Sequence, residues 1–68
     1  MVVDIVVNGE PRIASQGDTI LDLLRTLGLD PERVAVELDR RLIKKAQWAS
    51  SVLHEGAKLE IVQFVGGG

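Results

Sequence analysis

The stretch TILDLLRTLGL occupies residues 19–29 and carries helix signals from end to end. Ile20, Leu23, Leu24 and Leu27 fall at i, i+3, i+4 and i+7, which places them on one face of a helix. Thr19, or Asp18 before it, can cap the exposed amides at the start. Thr19 with Asp22 three residues later has the spacing of a capping box. Gly28 supplies the left-handed residue that ends a helix, and Leu29 can fold back onto the last turn. A helix this short must lay its apolar face on something, and strand-like sequence flanks it on both sides.

Before the helix, residues 2–7 are β-branched except for Asp4, which suits a pleated strand. Asn8-Gly9 follows, the strongest short hairpin signal, because both turn positions need positive φ. Residues 12–14 read as the return strand, with Pro11 pointing to a sheet edge. After the helix, Asp30-Pro31-Glu32 makes a turn. Val34, Val36 and Leu38 then alternate with Ala35 and Glu37 as in a half-buried strand. Asp39-Arg40 can turn the chain into a short segment at Leu42-Ile43. Residues 44–53 carry no clear period, Glu55-Gly56 is a turn, and residues 58–64 form the last strand. Two strands, one helix and further strands predict an α+β fold, with the helix covering one face of the sheet.

The composition agrees with one small domain. The 68 residues are 46% hydrophobic and 26% charged, a globular balance. A chain of this size buries only about 60% of its unfolded surface, so the core must be efficient. There is no cysteine and one histidine, which removes disulfides, thiol nucleophiles and a His-rich metal site. The net charge of −2 lacks the basic surplus of a nucleic-acid binder. Apolar runs stay far below a membrane span and no signal-peptide pattern is present, so a cytoplasmic protein is expected.

Groups that could carry catalysis are sparse. Asp4, Asp18, Asp22, Asp30, Glu32, Glu37, Asp39, Glu55 and Glu60 are scattered over turns and polar strand positions, as solvated surface charge is. His54 stands beside a turn with no partner nearby in sequence, and Trp48 suits a core or boundary anchor. Arg40-Arg41 and Lys44-Lys45 make a small basic cluster, able to meet an acidic partner or simply solvated. A self-contained enzyme is not expected, and no catalytic residue is assigned.

The last strand runs into Gly66, Gly67 and Gly68. No helix follows, so these glycines are not a phosphate loop. A segment without side chains can adopt any φ and thread a channel too narrow for a Cβ. It would deliver the α-carboxylate of Gly68 into another protein's active site. A carboxylate is a poor electrophile and needs prior activation, for which ATP adenylation is the usual route.

VAVELDRRL (residues 34–42), Gln47-Trp48 and LEIVQFVGGG (residues 59–68) resemble the ThiS-type sulfur-carrier proteins of thiamine biosynthesis. Asn8-Gly9 and the helix up to Gly28 lie where that family has its first hairpin and helix. The resemblance implies a β-grasp, ubiquitin-like α+β domain over residues 1–65, a mixed sheet of four to five strands with one main helix packed on one face, and a flexible glycine tail over residues 66–68. It implies that Gly68 is adenylated by a ThiF-type, ubiquitin-activating-type enzyme that uses ATP. Gly68 would then take sulfur from a sulfur-donor protein as a thiocarboxylate and pass it to thiazole synthase (ThiG-type), with no cofactor bound by the carrier itself. Asp39-Arg40 stands where the family commonly has Asn-Gly, Lys44-Lys45 where it has Pro-Arg, and Ala57 where an acidic turn residue is frequent.

If Leu59 and Ile61 face the helix, Val62 and Phe64 face the open side of the sheet, where Val6, Val65 and Ala35 can join them as a docking surface. Three alternatives remain open: the small subunit of molybdopterin synthase, which shares fold and Gly-Gly end; a ubiquitin-like modifier joined to protein lysines; and an interaction module with an idle tail. Removing Gly67-Gly68 separates the last of these from the others.

Overall fold

The computed structural model describes residues 1–65. In chain order it has β1 (Val2–Val7), β2 (Glu10–Ser15), α1 (Ile20–Thr26), β3 (Val34–Leu38), β4 (Arg41–Ile43) and β5 (Lys58–Gln63), with 3₁₀ segments at Pro31–Arg33 and Lys45–Ser50. The sheet order is β2-β1-β5-β3-β4. Strands β1 and β5 run parallel; the other neighbouring pairs are antiparallel. The strand that leads to the glycines therefore lies in the middle of the sheet, held on both sides. The expected mixed sheet with one helix on one face is observed, with five strands.

Local chemistry explains each boundary of α1. The Thr19 hydroxyl accepts the Asp22 amide at 3.2 Å, and the Asp22 carboxylate accepts the Thr19 amide at 2.9 Å. The Thr19 amide foremost, and next the Thr19 hydroxyl donating to the same carboxylate at 3.1 Å, hold the Asp22 carboxyl below its usual value. At the other end Gly28 takes φ +71°, while its N–H donates to Arg25 O and that of Leu29 to Leu24 O, at 3.0 and 2.9 Å. That pattern is a Schellman motif, and it turns Leu29 back over the helix.

The buried face of α1 (Ile20, Leu23, Leu24) packs with Ile5 and Val7 of β1, Val36 of β3, and Leu59 and Ile61 of β5. Each such side chain contributes roughly 1.5–3 kcal/mol through removal from water. The segment without a clear period becomes the 3₁₀ stretch Lys45–Ser50, whose Trp48 is buried while its Nε1 donates to Ile43 O at 2.9 Å. Trp48 thus closes the core at the end of β4.

Strand β2 is longer than the expected residues 12–14 and includes Pro11. The ladder explains the tolerance. Gln16 N–H bonds to Met1 O, so the even residues of β2 turn their N–H groups to β1 and Pro11, Ile13 and Ser15 turn outward. Pro11 has no donor to lose there, and Ser15 N–H is taken by Asp18 at 3.0 Å. Only Ile13 presents a free donor on this edge, which blunts it against strand addition. Among the described residues no helix is long and apolar enough to cross a membrane.

Candidate functional site

Side chains of β5 alternate across the sheet. Leu59 and Ile61 enter the core, and Lys58, Glu60 and Val62 face the open side. On the β3 side, Val62 lies directly opposite Ala35, Glu60 opposite Glu37 and Gln63 opposite Val34. Phe64 extends this pairing, its N–H donating to Arg33 O at 2.7 Å. On the β1 side, Val6 N–H donates to Ala57 O and Asn8 N–H to Leu59 O, both at 2.9 Å. The Asn8 side chain then continues the ladder for one more step, accepting Ile61 N–H at 2.7 Å and donating to Ile61 O at 3.1 Å. This second grip on the last strand was invisible in the sequence, where Asn8 reads only as a turn residue.

Two apolar areas occupy the open face. One surrounds the exit of β5: Val62 (57% exposed) and Phe64 (55%), with Ala35 beside Val62; Val65 follows beyond the end of the strand, almost fully exposed. The other surrounds Ile13 at the far end of β1 and β2, where Val6, Pro11 and Ile13 line a shallow cavity of about 440 Å³. Val6 was expected beside Val62 and Phe64. Its β5 neighbour is instead Lys58, four residues before Val62, which is about 13 Å along a strand. The cross-strand carboxylates Glu37 and Glu60, with Lys58, occupy the ground between the two areas. Gly66, Gly67 and Gly68 lie outside the described residues.

The scattered acids serve local structure or solvent, and among the described residues no group of them could hold a metal ion. Of the basic cluster, Lys45 pairs with Glu32 and Arg40 sits in the β3–β4 turn. His54, which showed no neighbour in sequence, has one in space. Its Nε2 lies 2.8 Å from Asp39 Oδ2 and its Nδ1 3.0 Å from Glu55 O, while Asp39 Oδ1 accepts Lys58 N–H at 3.0 Å. The hydrogen bond to Asp39 is the main reason the His54 pKa rises, followed by that to Glu55 O. The Asp39 carboxyl falls below its usual value, chiefly through the Lys58 amide and then through His54. The only sequence signal was that both residues border turns; the register of β3 against β5 brings those turns together. The cluster lies at the start of β5, at the opposite end of the strand from Gln63 and Phe64, and ties the β3–β4 turn to the last strand.

The model of the ThiS family matches residues 5–68. The crystal structure of the thiamine biosynthesis protein ThiS from Geobacter metallireducens superimposes with a TM-score of 0.79 at 26% identity, over 97% of this chain and 100% of that one. Thiazole synthases of Magnetococcus marinus and Paramagnetospirillum magneticum are 43% and 44% identical over 61 and 64 residues, 90% and 94% of this chain. The chain spans about a fifth of the length of those two relatives, 19% and 20%. The uncharacterized protein ycf40 of Pyropia yezoensis is 39% identical over 66 residues, 97% of this chain and 93% of that protein.

Proposed function

The chain belongs to the ThiS family, and from that premise we propose that it is a sulfur carrier whose working group is the α-carboxylate of Gly68. The observation that carries the reading is the extent of the family match, which runs through residue 68 and so takes in the whole glycine run behind β5. In the proposed cycle a carboxylate oxygen of Gly68 attacks the α-phosphate of ATP in a ThiF-type enzyme, and pyrophosphate leaves. The acyl adenylate is an activated electrophile: sulfide-level sulfur (HS⁻) delivered by a donor protein adds to its carbonyl carbon, the acyl C–O bond to phosphate breaks, and AMP leaves behind a thiocarboxylate. That sulfur goes to a ThiG-type thiazole synthase for ring formation in thiamine biosynthesis. The two thiazole synthases that contain a stretch so similar to this chain support that partner.

The chain is a protein co-substrate in this cycle. Gly66 and Gly67 give access to a channel that admits no Cβ, and Val62, Phe64 and Val65 dock the partner at the exit of β5. Val6, on the same face but near its other end, belongs to a separate contact area. The test is an intact-mass spectrum after incubation with the activating enzyme, ATP and a sulfur source. A gain matching one oxygen replaced by sulfur, abolished by removal of Gly68, is expected. No gain, with the enzyme proven active on another carrier, would refute the reading. Appearance of the chain's mass on other proteins in cells would favour a modifier instead.

A further inference from the structure

Main-chain groups along β5 point alternately to its two neighbours. Ala57, Leu59 and Ile61 turn toward β1, where they meet Val6 N–H, Asn8 N–H and the Asn8 side-chain amide. Lys58, Glu60, Val62 and Phe64 turn toward β3, as the bonds of Lys58 O to Asp39 N–H and of Phe64 N–H to Arg33 O show. The same alternation turns the N–H and C=O of Gln63 into the lane of β1. Strand β1 has left that lane, because the chain reverses at Asn8-Gly9 into β2. The parallel register ends at Val7 opposite Leu59, and no described residue pairs with the Gln63 main chain. One step on, Val65 turns the same way and is 94% exposed. Among the described residues, the middle strand of the sheet therefore ends in a short unpaired edge at Gln63, bounded by the Asn8 amide at Ile61.

We propose that the enzyme which activates the tail lays an extended segment of its own main chain into this lane, bonding to Gln63 and Val65. The inference rests on the carrier reading and adds how the partner holds the strand. Docking on Val62 and Phe64 strips water from this edge as well. A buried main-chain donor or acceptor left unpaired is costly, and an added strand satisfies both groups of Gln63 at once. A single amide side chain can meet one such residue, as Asn8 meets Ile61, but a strand meets groups that repeat at strand spacing. The Asn8 amide stops the added strand at Ile61, so the pairing has one register. That register fixes how far the glycines reach beyond it.

Amide hydrogen exchange followed by NMR on the isotope-labelled chain, alone and saturated with the adenylating enzyme, tests this directly. In the free chain the Ile61 and Phe64 amides exchange slowly and those of Gln63 and Val65 at unprotected rates. In the complex Gln63 and Val65 slow by at least about tenfold. A second arm uses Gln63→Pro, which deletes the donor facing the lane and leaves the β3 ladder untouched, beside Gln63→Ala. The proline variant is expected to bind the enzyme at least about tenfold more weakly, and the alanine variant like the wild type. Unprotected Gln63 and Val65 amides in a complex that still adenylates the wild-type chain overturn the inference and leave the carrier reading standing. Equal affinity of the two variants does the same, and if Gln63→Pro fails to fold the exchange rates decide. A wild-type chain that is never adenylated overturns both.

Discussion

The side chain of Asn8 acts on Ile61 as one more residue of β1 would, accepting its N–H at 2.7 Å and donating to its C=O at 3.1 Å. Asn8 reaches this position from a left-handed backbone, φ +51°, as the first residue of the β1–β2 turn. Asparagine is among the few residues that tolerate that conformation and carry an amide. Two partly buried hydrogen bonds are worth about 1 kcal/mol each. Asn8→Gly, which keeps the turn and loses the bonds, is expected to cost about 1–2 kcal/mol in urea unfolding. Asn8→Ala adds the left-handed penalty and costs about 1 kcal/mol more. A glycine variant as stable as the wild type would show that the grip on Ile61 contributes nothing.

How much of this was legible beforehand follows from the range of each signal. The helix, its capping box, the Gly28 stop and both two-residue turns depend on residues a few positions apart, and all were read correctly. The core side of β5 was legible from alternation alone. The distance between Val6 and Val62, the Asn8–Ile61 bond and the His54–Asp39 pair depend on register between strands some fifty or fifteen residues apart in sequence. Periodicity assigns a residue to a face but not to a level along it, which is why Val6 was grouped with Phe64.

The β3–β4 turn holds two non-glycine residues in left-handed conformations, Asp39 at φ +51° and Arg40 at φ +70°. A two-residue turn of this kind favours glycine at its second position. Arg40→Gly removes a penalty of about 1–2 kcal/mol and adds unfolded-state entropy worth somewhat less. A net gain of about 0.5–1 kcal/mol is expected, read as a thermal midpoint higher by roughly 2–8 °C. An unchanged or lower midpoint would mean that the arginine side chain contributes a compensating contact.

Both ring nitrogens of His54 face acceptors, the Asp39 carboxylate and the Glu55 carbonyl. Two acceptors require two N–H groups, so the arrangement favours the imidazolium, in line with the raised pKa. A raised folded-state pKa means that protonated His54 stabilises the fold fully below its ordinary value of 6.5, and that this contribution fades as pH rises through the raised value. The lowered Asp39 carboxyl acts at the other limit, its contribution being present above 3.8 and lost as pH falls through the depressed value. The stability difference between wild type and His54→Ala should therefore be largest between these limits and shrink at alkaline pH. Since both side chains are about half exposed, the difference should also weaken in high salt. Thermal midpoints of the two proteins across pH test this, and a difference that grows above neutrality would contradict it.

Phe64 combines an exposed side chain with an anchored main chain. The residue is 55% exposed outside the core, while its N–H donates to Arg33 O. Phe64→Asp keeps the main-chain bond and should leave the thermal midpoint nearly unchanged. Binding to the activating enzyme should suffer, because completing the burial of a half-exposed phenylalanine contributes roughly 1–1.5 kcal/mol and an unpaired carboxylate in its place is penalised further. The expected loss is on the order of 10- to 100-fold in affinity. Ile13→Asp supplies the control, since Ile13 is just as exposed on the same face but lies at its far end, beside Asp4. If the exit of β5 is the docking area, calorimetric titration of the enzyme separates the two variants, with Ile13→Asp binding like the wild type. Equal losses would extend the interface over the whole sheet, and no loss from Phe64→Asp would remove the docking role from Val62, Phe64 and Val65.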